Sequence, residues 1–212
     1  MNADVLATIV RTSRTGPLAC SAALSVLVLL VPIVFGAELD FLDATLTLHL
    51  AMVAMLIGTA FVLDDPAQPL TEVLPYSARY VRAVRMALTL VPVTACWAVL
   101  LLLAPMTVTS AAAFPRAGLV VEPYALLAWT WACAVFAGAR RGGRGSTLAA
   151  PALLVLSVVP ALLPDPVAFY VSPGAPAYEE SRLRWAVLLV LGLIALLVVV
   201  ARWRPVAARR TR

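Results

Sequence analysis

Six long apolar segments alternate with short polar connections along the chain. They lie at residues 17–35, 42–63, 86–103, 121–139, 147–163 and 185–201. A helix rises about 1.5 Å per residue, so about twenty residues cross a bilayer core of about 30 Å. The pattern therefore predicts an all-α polytopic membrane protein with six transmembrane helices, of which the fifth is short for a full crossing.

The two ends of the chain differ from the apolar segments. Apolar residues recur at helical spacing between Val5 and Val10, with polar residues beside them. Residues 1–16 are therefore predicted to form an amphipathic elbow helix at the cytoplasmic interface. Residues 17–201 form the predicted six-helix transmembrane domain, and residues 202–212 form a basic cytoplasmic tail.

The arginines fix the predicted orientation, because basic residues concentrate in cytoplasmic loops. With both ends of the chain inside, only Arg116, Arg182 and Arg184 lie outside. The cytoplasmic arginines are then Arg11, Arg14, Arg79, Arg82, Arg85, Arg140, Arg141, Arg144, Arg202, Arg204, Arg209, Arg210 and Arg212. We therefore predict a multi-pass protein of the inner (plasma) membrane with both termini in the cytoplasm.

Composition agrees with lipid as the main environment. The chain is 63% hydrophobic and 13% charged, and a soluble domain of 212 residues would carry far more polar surface. The net charge of +5 follows mostly from topology, so it does not indicate nucleic-acid binding. Cys20, Cys96 and Cys133 each lie in apolar segments and are predicted to be packing residues.

Polar residues within the apolar segments are few. The single histidine, His49, lies in the second segment, with Thr45 one turn earlier and Asp43 six residues before it. Two interpretations of His49 stay open: a hydrogen bond between helices, or contact with a substrate or a proton. Asp43, Thr45 and His49 are accordingly a candidate substrate path. Glu122 begins the fourth segment, where the helix dipole favours an acid.

The sequence does not indicate a catalytic, metal or cofactor site in the chain itself. One histidine excludes a haem held by two histidines, and too few ligands lie together for a zinc site. The Arg141–Ser146 stretch contains glycines but not the lysine of a phosphate-binding loop. We expect no cofactor, no metal and no catalytic residue.

The connection after the second segment is the most informative stretch. Two aspartates and a proline end the second helix, a short amphipathic helix follows, and three arginines recur at a spacing of three. Such a helix on the inner face could be gripped by a soluble partner, although a plain solvated loop explains the same residues. The residues concerned are Asp64, Asp65, Pro66, Leu70, Glu72, Pro75, Arg79, Arg82 and Arg85.

At this stretch the chain resembles the membrane subunits of ATP-binding-cassette (ABC) exporters, particularly actinobacterial permeases. The resemblance rests on Leu63-Asp64-Asp65-Pro66-Ala67, on Pro75 and on the arginines that follow, together with the six-segment layout. It implies a permease that pairs with a second copy or a related permease. It also implies that two cytoplasmic ATPase subunits dock on the segment between the second and third helices, which would act as the coupling segment. Replacing both aspartates with alanine is then expected to uncouple ATP hydrolysis from transport.

Two other functions compete with an ABC exporter permease of this kind, which would move an amphipathic or lipid-like substrate outward. A non-transporting accessory or assembly subunit of a membrane complex would suit the scarcity of buried charge. An intramembrane enzyme acting on lipid would need acids or histidines around one cavity, and Asp43, His49 and Glu122 are its candidates.

Overall fold

The computed structural model describes residues 15–64, 78–108, 114, 116–140, 145–164, 167–172 and 175–202. The predicted elbow up to residue 14, most of the predicted coupling segment and the tail from residue 203 lie outside these residues. The described part is all-helical, as predicted, with a single isolated bridge between Leu39 and Val108.

Six long α-helices occur in the described part, each close to a predicted apolar segment. They are α1 Thr15–Val34, α2 Phe41–Val62, α3 Ala78–Leu103, α4 Val121–Arg140, α5 Ser146–Ala161 and α6 Tyr178–Ala201. Two 3₁₀ turns, Ala104–Thr107 and Arg116–Leu119, lie between α3 and α4. By length and composition, α1, α2, α3 and α6 are long and apolar enough to cross a membrane.

Successive helices run in opposite directions, so the bundle has two ends. Ser25 of α1 donates a hydrogen bond to the carbonyl oxygen of Ala51 in α2, and Asp64 after α2 contacts Ser146 at the start of α5. One end, which we call the Asp64 end, carries the beginnings of α1, α3 and α5. The other, the His49 end, carries the beginnings of α2, α4 and α6.

The helix α2 forms the centre of the bundle. Of its apolar stretch 67% is buried, compared with 22% for α1 and 11% for α6. It packs on α1 through close backbone approach at Gly58, and it also contacts α3, α4 and α5. The outer helices expose large apolar side chains such as Leu27 and Leu197, as expected of helices whose solvent is lipid.

Two helix starts differ from the predicted segments. The helix α3 begins at Ala78 rather than near residue 86, and α6 begins at Tyr178 rather than near residue 185. Both extensions are polar turns, which hydropathy does not separate from a loop although their backbone is helical. As a consequence Trp185, the first residue of the predicted sixth segment, is only 4% exposed and lies inside the bundle.

Candidate functional site

A buried polar cluster lies at the His49 end and joins three parts of the chain. His49 comes from the third turn of α2, Glu122 from the first turn of α4, and Tyr170 from the connection between α5 and α6. His49 and Glu122 are each 4% exposed. Ionisable groups buried to this degree inside a membrane protein are costly, and they often mark a functional site.

The three side chains contact one another directly. His49 Nδ1 and Glu122 Oε1 form a short hydrogen bond. The Tyr170 hydroxyl donates to Glu122 Oε1 at 3.1 Å, and its oxygen lies 2.5 Å from Nδ1 and 3.1 Å from Nε2 of His49. Burial, and then the neighbouring Glu122 carboxylate, raise the pKa of Tyr170 well above its ordinary value, so the phenol keeps its proton.

Aromatic packing holds the Tyr170 connection against the bundle. The rings of Tyr170 and Phe169 pack edge-on against Trp185 of α6, with centroids 5.9 Å and 5.1 Å away. Arg184 donates to the carbonyl oxygen of Ala168 at 2.5 Å. The backbone at residues 168–170 is therefore positioned by α6 and places the phenol over the His49–Glu122 pair.

A small cavity of about 20 Å³ lies beside the cluster, enough for about one water molecule. Glu122, Tyr170, Thr45 and Arg182 are among its lining residues. The Arg182 guanidinium lies over the Tyr178 ring, 5.0 Å from the centroid, and its Nε and Nη2 atoms are buried with no hydrogen-bond partner in the described part of the chain. The cavity thus has an acid on one side and a cation on another.

The three residues of the predicted substrate path, Asp43, Thr45 and His49, do not all lie together in the structure. Thr45 lines the cavity, but its hydroxyl donates to the carbonyl oxygen of Phe41 in its own helix. Asp43 is exposed at the start of α2, where its backbone N–H bonds to the Asp40 carboxylate that caps the helix. His49 pairs instead with Glu122, which the sequence indicated as a helix-start acid and, beside Asp43 and His49, as a candidate residue of an intramembrane enzyme.

Of the predicted coupling segment, Asp64, Arg82 and Arg85 are described, and Arg79 lies in the first turn of α3. The residues Asp65, Pro66, Leu70, Glu72 and Pro75 lie outside the described part. Asp64 Oδ1 accepts the backbone N–H of Ser146 at 2.8 Å, and its Oδ2 accepts the Ser146 hydroxyl. This carboxylate therefore caps the N-terminus of α5, a contact that the sequence did not reveal.

The arginines at the end of the predicted coupling segment do not share one exposed face. Arg85 is only 3% exposed, and its Nη1 donates to the carbonyl oxygen of Asp64 at 3.3 Å. Asp64, just after the end of α2, therefore contacts both α3, through Arg85, and α5, through Ser146. We call this contact between Asp64, Arg85 and Ser146 the Asp64 joint.

No metal-binding group of three or more histidine, cysteine or acidic side chains occurs among the described residues. Cys20, Cys96 and Cys133 are free thiols, and the Cys96 thiol donates to the Ser25 hydroxyl oxygen at 3.9 Å. Comparison of the chain with protein-family models, with curated proteins and with solved structures found no match.

Proposed function

We propose that the chain is the permease subunit of an ABC exporter. In this proposal a separate cytoplasmic ATPase subunit hydrolyses ATP, and the permease, paired with a second copy or a related permease, moves an amphipathic or lipid-like substrate outward. The all-helical bundle with its apolar outer helices supplies the membrane part that such a complex needs.

The observation that supports the proposal most is the Asp64 joint. It includes Asp64 and Arg85, the first and last residues of the proposed coupling segment, and it ties the end of α2 to α3 and to the start of α5. Because packed helices transmit displacement as rigid bodies, a push on that segment would reach three helices at once. A partner gripping the segment could therefore tilt much of the bundle, as an exporter requires.

Co-purification from the native host tests the proposal. The tagged full-length protein is extracted in mild detergent, and its partners are identified by mass spectrometry. We expect a soluble ATPase to co-purify, and we expect it to be lost when residues 66–75 are scrambled. The scramble spares Asp64, so that the Asp64 joint is retained.

A matched control replaces residues 109–113, which the predicted topology places on the opposite side of the membrane. This variant should keep the ATPase. A preparation free of any ATPase, or one dominated by another complex, would contradict the exporter and favour the accessory or assembly subunit. Retention of the ATPase by the 66–75 scramble would place docking elsewhere on the chain.

A further inference from the structure

A long apolar groove, separate from the buried polar cluster, runs between α4 and α5. Its volume of about 530 Å³ is within the range of sites that bind small molecules. Trp129, Thr130 and Cys133 line it from α4, and residues between Leu148 and Val159 line it from α5. Its rim on α5 is exposed, so the groove opens to the surroundings of the bundle. We call it the α4–α5 groove.

The polar side chains that line the groove are already satisfied within the protein. The Thr130 hydroxyl donates to the carbonyl oxygen of Leu126 at 2.8 Å, and Trp129 Nε1 donates to the carbonyl oxygen of Leu188 in α6 at 3.0 Å. Apart from the Cys133 thiol, the other lining side chains are hydrocarbon. A polar ligand would lose its hydrogen bonds to water here without replacing them, so the groove favours a hydrocarbon chain.

The length of the groove matches one layer of lipid tails. Leu148 and Val159 are eleven residues apart on α5, which corresponds to a rise of about 16 Å. The bilayer core of about 30 Å contains two layers of tails, so each layer is about 15 Å deep. Because Leu148 lies near the start of α5, the groove lies in the layer next to the Asp64 end.

A cation lies in line with the groove at the Asp64 end. Trp129, Cys133, Phe136 and Arg140 recur at helical spacing and therefore share one face of α4. Arg140 is exposed, and its guanidinium lies over the Phe136 ring, 4.3 Å from the centroid. Within the described part of the chain this guanidinium contacts no carboxylate. Its charge is therefore available to an anion at the level of the lipid headgroups.

We propose that the α4–α5 groove binds an anionic phospholipid, with one acyl chain in the groove and the phosphate at Arg140. The predicted topology places the Asp64 end in the cytoplasm, and the cytoplasmic leaflet carries anionic lipids. The bound chain fills the space beside α5, whose sixteen residues are short for a crossing. The site does not depend on the exporter proposal, because a resident lipid and a transported lipid would make the same contacts.

A photoreactive lipid tests the site directly. Full-length protein is placed in phosphatidylcholine nanodiscs that contain a small fraction of phosphatidylglycerol with a photoreactive group in its acyl chain. Mass spectrometry of peptides locates the labelled residues, and phosphatidylcholine with the same photoreactive chain is the reference. We expect phosphatidylglycerol to label the groove residues about fivefold more than the reference, since one arginine near a headgroup favours an anionic lipid by about this factor.

Arginine variants identify the source of this preference. Arg140→Gln should lower the labelling by phosphatidylglycerol to that of the reference. Arg202→Gln is the matched control, because Arg202 is exposed at the same end of the bundle but follows α6, which does not line the groove. Equal labelling by the two lipids in the native protein, or a preference that survives in Arg140→Gln, would overturn the proposal.

Two substitutions in α5 test the place of the acyl chain. Ala152→Phe puts a ring into the groove and should reduce its labelling by both lipids. Leu154→Phe adds a ring at an exposed position outside the groove lining and should leave the labelling unchanged. A native groove that takes no label would show that a second copy or another protein covers it, which would also overturn the proposal.

The test holds even where Ala152→Phe fails to fold, because Arg140 is exposed and its glutamine variant alters no packing inside the bundle. None of these measurements involves an ATPase, so their outcome is independent of the co-purification that tests the exporter.

Discussion

At the scale of single residues, Asp64 has a structural role that can be separated from partner binding. Its carboxylate accepts two hydrogen bonds from Ser146, whose side chain is 6% exposed, and its charge faces the positive N-terminal end of the α5 dipole. The sequence suggested only that Asp64 ends a helix and meets a partner. The structure gives it an intramolecular contact as well.

Asp64→Ala should destabilise the protein by about 1–2 kcal/mol, because a helix cap is lost and a buried hydroxyl loses its acceptor. Ser146→Ala should cost less, since the backbone N–H of residue 146 still reaches Asp64. Unfolding in detergent measures both, and Glu38→Ala, at an exposed acid, is the control. An Asp64→Ala protein as stable as the control would refute the cap.

The expected loss of stability in Asp64→Ala affects how the coupling hypothesis can be tested. A double alanine variant of Asp64 and Asp65 would combine a damaged bundle with any lost partner contact. Asp65→Ala alone is therefore the informative substitution for uncoupling ATP hydrolysis from transport.

At the scale of helices, α1 and α2 pack through small residues and serine hydroxyls. Ser21 and Ser25, one turn apart, donate to the carbonyl oxygens of Met55 and Ala51 at 3.3 and 2.5 Å. A Cβ placed at Gly58 would overlap the Ser21 hydroxyl and lie 2.9 Å from the Pro17 carbonyl oxygen. Small residues let helix backbones approach closely in lipid, where van der Waals packing drives association.

Gly58→Ala should therefore cost about 1–3 kcal/mol, because the added methyl forces the two backbones apart. The loss should exceed any gain in helix propensity, and it should appear as a lower midpoint of unfolding in detergent. Gly16→Ala is the matched control, since a Cβ there meets nothing within 4 Å. Equal stability of the two variants would mean that α1 and α2 do not approach this closely.

Helix positions were predictable where the apolar run and the helix coincide. The predicted segments 42–63 and 121–139 match Phe41–Val62 and Val121–Arg140 closely. The starts of α3 and α6 were missed, because a helix that continues into polar surroundings leaves no mark in hydropathy. The cluster was predictable only in its parts: His49 and Glu122 are 73 residues apart, and nothing local to either one indicates the other.

At the scale of the whole molecule, α5 decides the topology. Its sixteen residues rise about 24 Å, less than a bilayer core of about 30 Å, and it contains Pro151 and Pro160. The chain nevertheless passes from the Asp64 end to the His49 end along α5, since Ser146 contacts Asp64 and α6 begins near Gly118, which precedes α4. We therefore expect α5 to cross the membrane completely. Local thinning of the bilayer, or burial of α5 against α2 and α4, would compensate for its short length.

Single cysteines introduced at residues 143 and 172, in a variant lacking the three native cysteines, test this arrangement. In intact cells a membrane-impermeant thiol reagent should label Ser172→Cys, which is exposed in the connection before α6, and should spare Gly143→Cys. Permeabilised cells should label both, which controls for reactivity. The arginine distribution predicts this result, because the reverse orientation would place most arginines outside. Labelling of both positions in intact cells would mean that α5 does not cross, and that the two ends of the chain lie on opposite sides of the membrane.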